Sequence, residues 1–294
     1  MIGFENVSKF IVSDVTLYIP EGKTVGLIGA SGAGKTTLIK LACGLLKPKS
    51  GKVYTMRKDP VTKRLQCGRD MSVLLADKPF CQNEYTVADN FEILQYIYRL
   101  SSEEFCKDYK MLSERLRFDG MEGQKVKNLS LGQRRRVEIG AALICRPKLL
   151  LLDEPAIGMD ADAKQAFYEL IKEKEREGLT VFLTSHNMEE ISKMCSRIAL
   201  LDQGKLLYYG EEAQLRRQYA PMDSLYLKLA GRLPNLEDLP LKSYQVDGDN
   251  LKITYNSNHI TSAEILRLVL AQTKVAEMKI RKPDLADIIV QMKK

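Results

Sequence analysis

The sequence feature that most constrains this chain is a glycine-rich turn at residues 29–37. The turn follows residues 24–28, which are apolar enough for a buried strand, and precedes residues 38–42, which have the composition of a helix. A strand, a glycine-rich turn ending in lysine and a hydroxyl residue, and a helix together form the phosphate-binding P-loop pattern. The sequence therefore predicts nucleotide binding by nine consecutive residues: Gly29, Ala30, Ser31, Gly32, Ala33, Gly34, Lys35, Thr36 and Thr37.

The chemistry of this turn suits a nucleoside triphosphate with Mg²⁺. Glycines let backbone N–H groups turn inward around phosphate oxygens, and the helix that follows directs its positive dipole end at the same anion. Lys35 is predicted to neutralise the β- and γ-phosphates, and the Thr36 hydroxyl to ligate Mg²⁺. Glycine-rich turns also have purely structural uses, but the flanking segments here favour nucleotide binding.

Two adjacent carboxylates follow a second buried run. Residues 149–152 are four leucines, which is typical of a strand covered on both faces in a parallel sheet. Ligands bind at the carboxyl ends of such strands. Asp153 is therefore predicted to hold Mg²⁺, and Glu154 to act as the catalytic base. His186 follows the apolar run 179–183 and is a third candidate at that edge, for which a structural role is less favoured.

A predicted helix start at residues 129–133 contains a glycine that helix formation does not require. Ser130 and Gln133 have the spacing of a capping box, which an ordinary helix start would explain. Gly132 lies in the first turn, where glycine reduces helix stability. This glycine therefore indicates a role other than forming the helix.

Length and composition are those of an ordinary globular protein. The 294 residues suffice for one large domain or two, and 45% are hydrophobic and 28% charged. No apolar run approaches the roughly 20 residues needed to span a bilayer, so we expect a cytoplasmic protein that reaches a membrane through a partner. Six cysteines without a C-x-x-C pair, beside two histidines, argue against zinc and disulfides and suit a reducing compartment.

The chain carries a formal net charge of +7. Basic residues cluster within residues 47–69 and again at residues 134–136. Such clusters bind nucleic acid, bind anionic lipid headgroups, or form a solvated basic face. The chain has no stretch in which aromatic and basic residues interleave, as an RNA-binding sheet would have. We therefore favour a solvated surface, with proximity to a membrane as the second interpretation.

The order of predicted elements indicates two domains, at residues 1–218 and 219–294. Within the first, residues 2–19 alternate like two short strands, and helical periodicity at about 84–146 indicates an inserted helical subdomain. The second is predicted to be a small α+β domain without a catalytic constellation. Its predicted elements are strands at 242–247, 251–255 and 274–280, and helices at 262–272 and 284–292.

Four motifs in this order make the chain resemble the nucleotide-binding subunit of an ABC transporter. The P-loop is the first of them. Residues 129–133 resemble the family's signature sequence, residues 153–155 its Walker B segment and residues 156–160 its D-loop, and His186 resembles its switch histidine. The resemblance covers about residues 1–218 and is highly specific in its motifs.

The resemblance implies a fold and a set of ligands. The fold is α/β, a P-loop NTPase fold of the ABC ATPase type with an antiparallel β subdomain, an inserted helical subdomain and a small C-terminal α+β domain. The implied cofactors are ATP and Mg²⁺. Phe10 falls near the family's adenine-stacking aromatic, although a single aromatic residue there also suits core packing.

The resemblance also implies a mechanism in which two subunits meet head to tail. Each ATP then lies between one P-loop and the other subunit's signature helix, contacted by Ser130, Gly132 and Gln133. Glu154 activates the attacking water, and His186 holds that water and the γ-phosphate. The implied partners are a second ATPase subunit and transmembrane permease subunits on separate chains, at the cytoplasmic face of the membrane. The tail is similar to the C-terminal extension of drug- and antibiotic-type exporters, which favours export.

Two residues depart from the family pattern. Leu131 stands where the signature most often has glycine, and Asp77 stands where the Q-loop has glutamine. An aspartate is shorter than glutamine and carries a negative charge. We expect Asp77 to serve as a further Mg²⁺ ligand, directly or through water.

Two other functions stay open from the sequence. The first is a soluble ABC-type ATPase that acts on nucleic acid or ribosomes, for which the net charge of +7 is the only support, so no specific nucleic acid is expected. The second is an ATP-binding regulatory module that does not hydrolyse, against which Glu154 and His186 argue.

Overall fold

The computed structural model describes residues 1–219, 222–236 and 239–283, together with residues 288 and 292. The chain forms two compact units, Met1–Tyr209 and Gly210–Lys294. The predicted domain boundary lies nine residues further on, after residue 218.

The first unit contains two sheets, one antiparallel and one largely parallel. Its strands are β1 (Ile2–Lys9), β2 (Val12–Ile19), β3 (Thr24–Ile28), β4 (Ser50–Thr55), β5 (Met71–Leu74), β6 (Leu149–Asp153), β7 (Thr180–Ser185), β8 (Arg197–Asp202) and β9 (Lys205–Gly210). Its helices are α1 (Lys35–Ala42), α2 (Arg64–Gly68), α3 (Val87–Tyr98), α4 (Ser102–Leu116), a 3-10 turn (Val126–Asn128), α5 (Leu131–Ile144), α6 (Ala161–Arg176) and α7 (Met188–Met194).

The larger sheet has the strand order β5-β6-β7-β3-β8-β9. All residues of β3, β6 and β7 are buried, which accounts for the continuous apolar runs in their sequences. The pairs β5–β6, β6–β7, β7–β3 and β3–β8 are parallel, so the carboxyl ends of these strands lie along one edge. This edge brings together the segments that follow Ile28, Leu152 and Thr184.

The smaller sheet has the order β2-β1-β4, and both of its pairings are antiparallel. The rings of Phe4 on β1 and Phe182 on β7 lie 6.4 Å apart between centroids, so the two sheets share a core. This sheet is the predicted antiparallel β subdomain.

Helices α3, α4 and α5 interrupt the strand–helix alternation as predicted, and an aromatic cluster joins α3 to α4. The ring of Phe91 on α3 contacts Tyr109 on α4 edge-on, with centroids 4.8 Å apart, and lies 5.6 Å from the ring of Phe118. Aromatic pairs at such separations stabilise a core beyond the area that they bury. The helical insertion therefore has its own packed centre.

The second unit is an antiparallel sheet with helices, as the predicted α+β domain requires. Its elements are α8 (Glu212–Tyr219), β10 (Met222–Leu229), β11 (Leu241–Asp247), β12 (Asn250–Asn256), α9 (Ser262–Leu270) and β13 (Val275–Arg281), and the strand order is β11-β12-β10-β13. Strand β10 was not among the predicted strands, although Leu225, Leu227 and Leu229 alternate along it and are all buried. It lies shortly after the predicted boundary, in a stretch to which the sequence analysis assigned no element.

The fold class predicted from the sequence is confirmed. Helices α2 and α8 were not predicted; both are short, which limits the periodic signal that their sequences can carry. The predicted helix at 284–292 lies outside the described residues except for residues 288 and 292. Within the described ranges, no helix is both long enough and apolar enough to cross a membrane.

Candidate functional site

The P-loop forms the tight turn between β3 and α1. Gly34 is the N-cap of α1 and has φ = 106°, a left-handed conformation that is unfavourable for residues with a side chain. The buried Lys35 ammonium donates hydrogen bonds to the carbonyl oxygens of Gly29 at 2.8 Å and Ala30 at 3.2 Å. The loop thus surrounds its own lysine, while Ser31 and Gly32 are exposed.

Asp153 is buried at the end of β6 and accepts two hydroxyl hydrogen bonds. The Thr36 hydroxyl of α1 donates to Oδ2 at 2.7 Å, and the Thr184 hydroxyl of β7 donates to Oδ1 at 2.6 Å. The register of the sheet pairs Asp153 with Thr184 directly. The hydroxyl and carboxylate of Thr36 and Asp153 are the hard oxygen donors that Mg²⁺ prefers, so these residues fit that metal.

Glu154 links the P-loop to His186. Its carboxylate lies 3.5 Å from the Lys35 ammonium through Oε1 and 2.9 Å from Nδ1 of His186 through Oε2. The Glu154 backbone has φ = 49°, which is uncommon for a residue with a side chain and is often found at functional sites. Its N–H donates to the Thr184 hydroxyl at 3.0 Å, which helps to hold this conformation.

The signature segment begins α5 with the predicted capping box. Ser130 is the exposed N-cap; its hydroxyl accepts from the Gln133 N–H at 3.2 Å, and the Gln133 side chain accepts from the Ser130 N–H at 2.9 Å. A Cβ at Gly132 would collide with the carbonyl of Gly158, so only glycine allows this approach. None of the described hydrogen bonds joins this segment to residues 29–37 of the same chain.

Leu131, the departure from the signature pattern, packs against the segment at 156–160. Its side chain occupies the space beside Gly158, where an added Cβ would lie 2.7 Å from the Leu131 Cγ. Leu131 nevertheless remains 60% exposed. The substitution leaves Ser130 at the N-cap and Gly132 within the first turn.

Phe10 lies at the turn between β1 and β2 and is 75% exposed. The Lys9 ammonium lies 4.9 Å from the centroid of its ring. This exposure excludes the core-packing interpretation and leaves the ring available for stacking.

Asp77 is paired with Lys40 rather than with the other predicted metal ligands. Lys40 Nζ lies 2.7 Å from Asp77 Oδ2, and the hydrogen bond from Lys40 holds the pKa of the Asp77 carboxyl below its ordinary value. Among the described hydrogen bonds, none connects Asp77 with Thr36 or Asp153.

A buried ion pair on α5 forms hydrogen bonds with both ends of the loop at residues 75–80, which contains Asp77. Arg135 and Glu138 are both buried, with 3.3 Å between their charged groups. Arg135 also donates to the Leu75 carbonyl at 3.4 Å, and Glu138 accepts from the Phe80 N–H at 3.1 Å. Burial raises the pKa of the Glu138 carboxyl, and the charge of Arg135 opposes that rise. The signature helix is thereby fastened to residues 75–80.

Three parts of this site were missed in the sequence. Thr184 could have been found, because it is polar and ends a buried strand beside the strand of Asp153. The Lys40–Asp77 pair joins residues 37 positions apart, and no local pattern relates them. The Arg135–Glu138 pair has ordinary helical spacing, and only burial distinguishes it from a surface pair.

Comparison with known proteins gives a consistent family. A family model described as "ABC transporter" matches residues 12–157. The chain is 30% identical over 226 residues to the ABC transporter ATP-binding protein NatA of Bacillus subtilis, covering 76% of this chain and 92% of that protein. It is 30% identical over 230 residues to the linearmycin resistance ATP-binding protein LnrL of the same organism, and the match covers 73% of this chain and 70% of that protein. It is 32% identical over 203 residues to the Nod factor export ATP-binding protein I of Rhizobium leguminosarum, covering 69% and 65%.

Solved structures agree with this comparison. The chain is similar to an ATP-binding subunit of an ABC transporter with a TM-score of 0.69 and 25% identity, covering 74% of this chain and 92% of that one. It is also similar to a dimeric ATP-binding cassette in a post-hydrolysis state with ADP and Pi, with a TM-score of 0.65 and 26% identity, covering 72% and 98%.

Proposed function

The chain belongs to the family of ATP-binding subunits of ABC transporters, and from that premise we propose that it powers export through permease subunits carried on separate chains. ATP binding and hydrolysis coupled to transport are the activity of this family, and the chain is an ATPase of that kind. The direction of transport, the partners and the roles of individual residues are the proposed parts.

The observation that carries the proposed chemistry is the position of the Glu154 carboxylate, which contacts the P-loop lysine on one side and His186 on the other. A base in hydrogen-bond reach of a histidine, beside a phosphate-binding lysine, suits attack of water on a γ-phosphate. Glu154 accepts the proton of that water. His186 holds the Glu154 carboxylate in place and contacts the γ-phosphate.

Lys35 and Asp153 perform the electrostatic part of the proposed reaction. Lys35 binds the β- and γ-phosphates and places its ammonium group beside the oxygens on which negative charge develops. Thr36 and Asp153 hold Mg²⁺, which supplies further positive charge to the phosphate oxygens when bound. Thr184 keeps Asp153 oriented through its 2.6 Å hydrogen bond, and this fixes the carboxylate before nucleotide arrives.

The second half of the ATP site is proposed to come from another ATPase subunit. Ser130 is exposed at the N-terminus of α5, and the backbone N–H groups of that helix start suit the γ-phosphate of an ATP bound elsewhere. Since no described hydrogen bond joins Ser130 to the P-loop of its own chain, a head-to-tail dimer gives it a ligand. ATP then closes the dimer, and hydrolysis releases it.

The names of the relatives favour export. Two of them are named for Nod factor export and for linearmycin resistance, and the match to the latter covers 70% of its length. The proposed location is peripheral, at the cytoplasmic face of the membrane, in contact with permease subunits that span it.

A purification from native membranes tests the partner and the direction together. The tagged chain is isolated with detergent, the co-purifying proteins are identified by mass spectrometry, and the complex is reconstituted into vesicles. We expect an integral membrane protein in the complex, and substrate movement away from the ATPase side that requires ATP and stops in Glu154→Gln. Movement toward the ATPase side would overturn export. An isolated chain whose only partner is an oligonucleotide bound in a salt-sensitive manner would overturn the transporter assignment.

A further inference from the structure

The net positive charge of the chain is concentrated in one segment. Residues 47–69 contain eight of the 45 lysines and arginines and only one of the 38 acidic residues, so the rest of the chain holds 37 of each. The segment alone therefore carries the whole formal charge of +7. ATP chemistry does not use it, since the P-loop and the carboxylates lie outside these residues.

The basic side chains of this segment have no protein partners among the described residues. No described hydrogen bond or ion pair involves the side chains of Lys47, Lys49, Lys52, Arg57, Lys58, Lys63, Arg64 or Arg69. The only acid in the segment, Asp59, instead accepts from the backbone N–H groups of Val61 at 2.8 Å and Thr62 at 3.2 Å. Its carboxylate therefore shapes the turn.

Residues 57–69, which we call the basic loop, form a closed structure anchored at Thr55. The Thr55 N–H donates to the Lys58 carbonyl at 2.8 Å, and the Lys58 N–H donates to the Thr55 carbonyl at 3.0 Å. The buried Cys67 thiol donates to the same Thr55 carbonyl, with 3.7 Å between sulfur and oxygen. Since both ends meet at Thr55, the five basic residues of the loop are held within a small region.

One large apolar side chain lies among these charges. Leu65 on α2 is 87% exposed, between Arg64 and the remaining residues of the helix. An isolated exposed leucine needs no explanation, but one that follows Lys63 and Arg64 in a loop with five unpartnered basic residues has the composition of a surface that enters the headgroup region of a bilayer. The loop contains no aromatic residue, so it offers bases no stacking platform of the kind that single-stranded nucleic acids use.

We infer that the basic loop is a membrane-contact surface, in which the five basic side chains bind anionic phospholipid headgroups and Leu65 enters the acyl boundary. This contact is made by the ATPase chain itself, in addition to any contact through a permease. It places the loop against the bilayer and restricts the orientations of the subunit there. The binding needs no nucleotide and no partner protein.

Vesicle co-sedimentation of the purified full chain tests this inference. We expect binding to phosphatidylcholine vesicles that contain phosphatidylglycerol, little binding to phosphatidylcholine alone, and a steep loss at high salt because the charges are exposed. Lys63→Glu with Arg64→Glu should weaken the binding by at least roughly 25-fold, since each basic residue at an anionic surface contributes about a fivefold factor. Leu65→Ser should weaken it by roughly tenfold.

Matched control variants distinguish an effect of the basic loop from an effect of net charge or of exposed apolar surface elsewhere in the chain. Lys172→Glu with Arg176→Glu changes two exposed basic residues of α6 and alters the net charge by the same amount. Leu233→Ser removes a leucine that is 51% exposed elsewhere. Both controls should retain binding within about threefold, and all variants should keep the ATP turnover and thermal stability of the parent.

Three results would overturn the inference. One is equal weakening by the two charge-reversed pairs, which would assign the binding to net charge. Another is equal binding to vesicles with and without phosphatidylglycerol. The third is the absence of vesicle binding together with binding of an oligonucleotide through the same lysine and arginine residues.

Discussion

Lys40 on the P-loop helix and Asp77 after β5 form an ion pair, with 2.7 Å between Nζ and Oδ2. The helix that starts at the phosphate site is thereby joined to the loop that Arg135 and Glu138 fasten to the signature helix. This charged contact is one connection between the two halves that would act on different ATP molecules in a dimer, and the close approach of Gly132 to Gly158 is another.

Lys40→Met should raise the pKa of Asp77 back toward its ordinary value. The hydrogen bond from Lys40 is the largest cause of the lowered pKa, so the pair stabilises the fold above the ordinary aspartate pKa and is lost as pH falls through the lowered one. Carboxyl ¹³C NMR titration measures the shift directly. Lys47→Met removes a lysine without a described partner and should leave the pKa of Asp77 unchanged. The same Asp77 pKa in both variants would contradict the assignment.

Glu154→Gln should bind ATP normally, hydrolyse it roughly 10²- to 10⁴-fold more slowly and accumulate closed dimers. Glutamine keeps the size of the side chain but does not accept the proton of the attacking water. Phosphate release and size-exclusion chromatography with ATP measure the two effects. Glu177→Gln, on an exposed glutamate, is the control. Turnover near that of the parent in Glu154→Gln would remove the residue from its proposed role.

Ser130→Ala should impair the ATP site of the opposite subunit by about tenfold or more, because it removes a hydroxyl ligand there. Mixed dimers with two affinity tags resolve the site. With Glu154→Gln placed in the subunit that carries Ser130→Ala, the remaining site uses the altered signature and should be slow. With Glu154→Gln in the other subunit, the remaining site uses an intact signature and should be active. The reverse pattern would show that Ser130 acts within its own chain.

Thr184→Val should lower the free energy of unfolding by roughly 1–3 kcal/mol and slow ATP turnover. The change removes one of the two hydroxyl donors to Asp153 and the acceptor of the Glu154 N–H, and Thr184 is fully buried. Thr24→Val is a matched control, since Thr24 is equally buried and its hydroxyl has no partner among the described residues. Urea unfolding should show no loss for Thr24→Val, and an equal loss in both variants would contradict the role of Thr184.

Glu138→Gln should destabilise the protein by about 3 kcal/mol, because it removes the ion-pair partner of the buried Arg135. The glutamine still accepts from the Phe80 N–H, so the effect isolates the charge. Adding Arg135→Met should recover most of the loss, as removing both charges of a buried pair is often neutral. Urea unfolding measures both variants, and a double variant less stable than the single one would exclude this explanation.

The parts of the site that could be predicted are those with a local signature. The P-loop and Asp153-Glu154 each follow an apolar run that identifies a buried strand, and the chemistry of the residues then follows from their place at its end. Ser130 was recognised because its capping partner is three residues away.

The parts that could not be predicted depend on contacts between distant residues. The role of Lys40 depends on the fold, which brings Asp77 after β5 beside α1. The role of Arg135 depends on its burial, which the spacing of the sequence does not reveal. The membrane-contact assignment of the basic loop likewise needed the closure at Thr55 and the exposure of Leu65. From the sequence, a solvated face was the favoured interpretation of the same residues.

The strand order also affects how the protein is made. Among the strands that the structure describes, β3, which leads into the P-loop, has β7 and β8 as its neighbours, and these are translated roughly 150 residues later. At about 5–20 residues per second, the ribosome leaves β3 without a hydrogen-bonding neighbour for roughly 8 to 30 seconds. A product that terminates before residue 180 should therefore expose both edges of an apolar strand and aggregate.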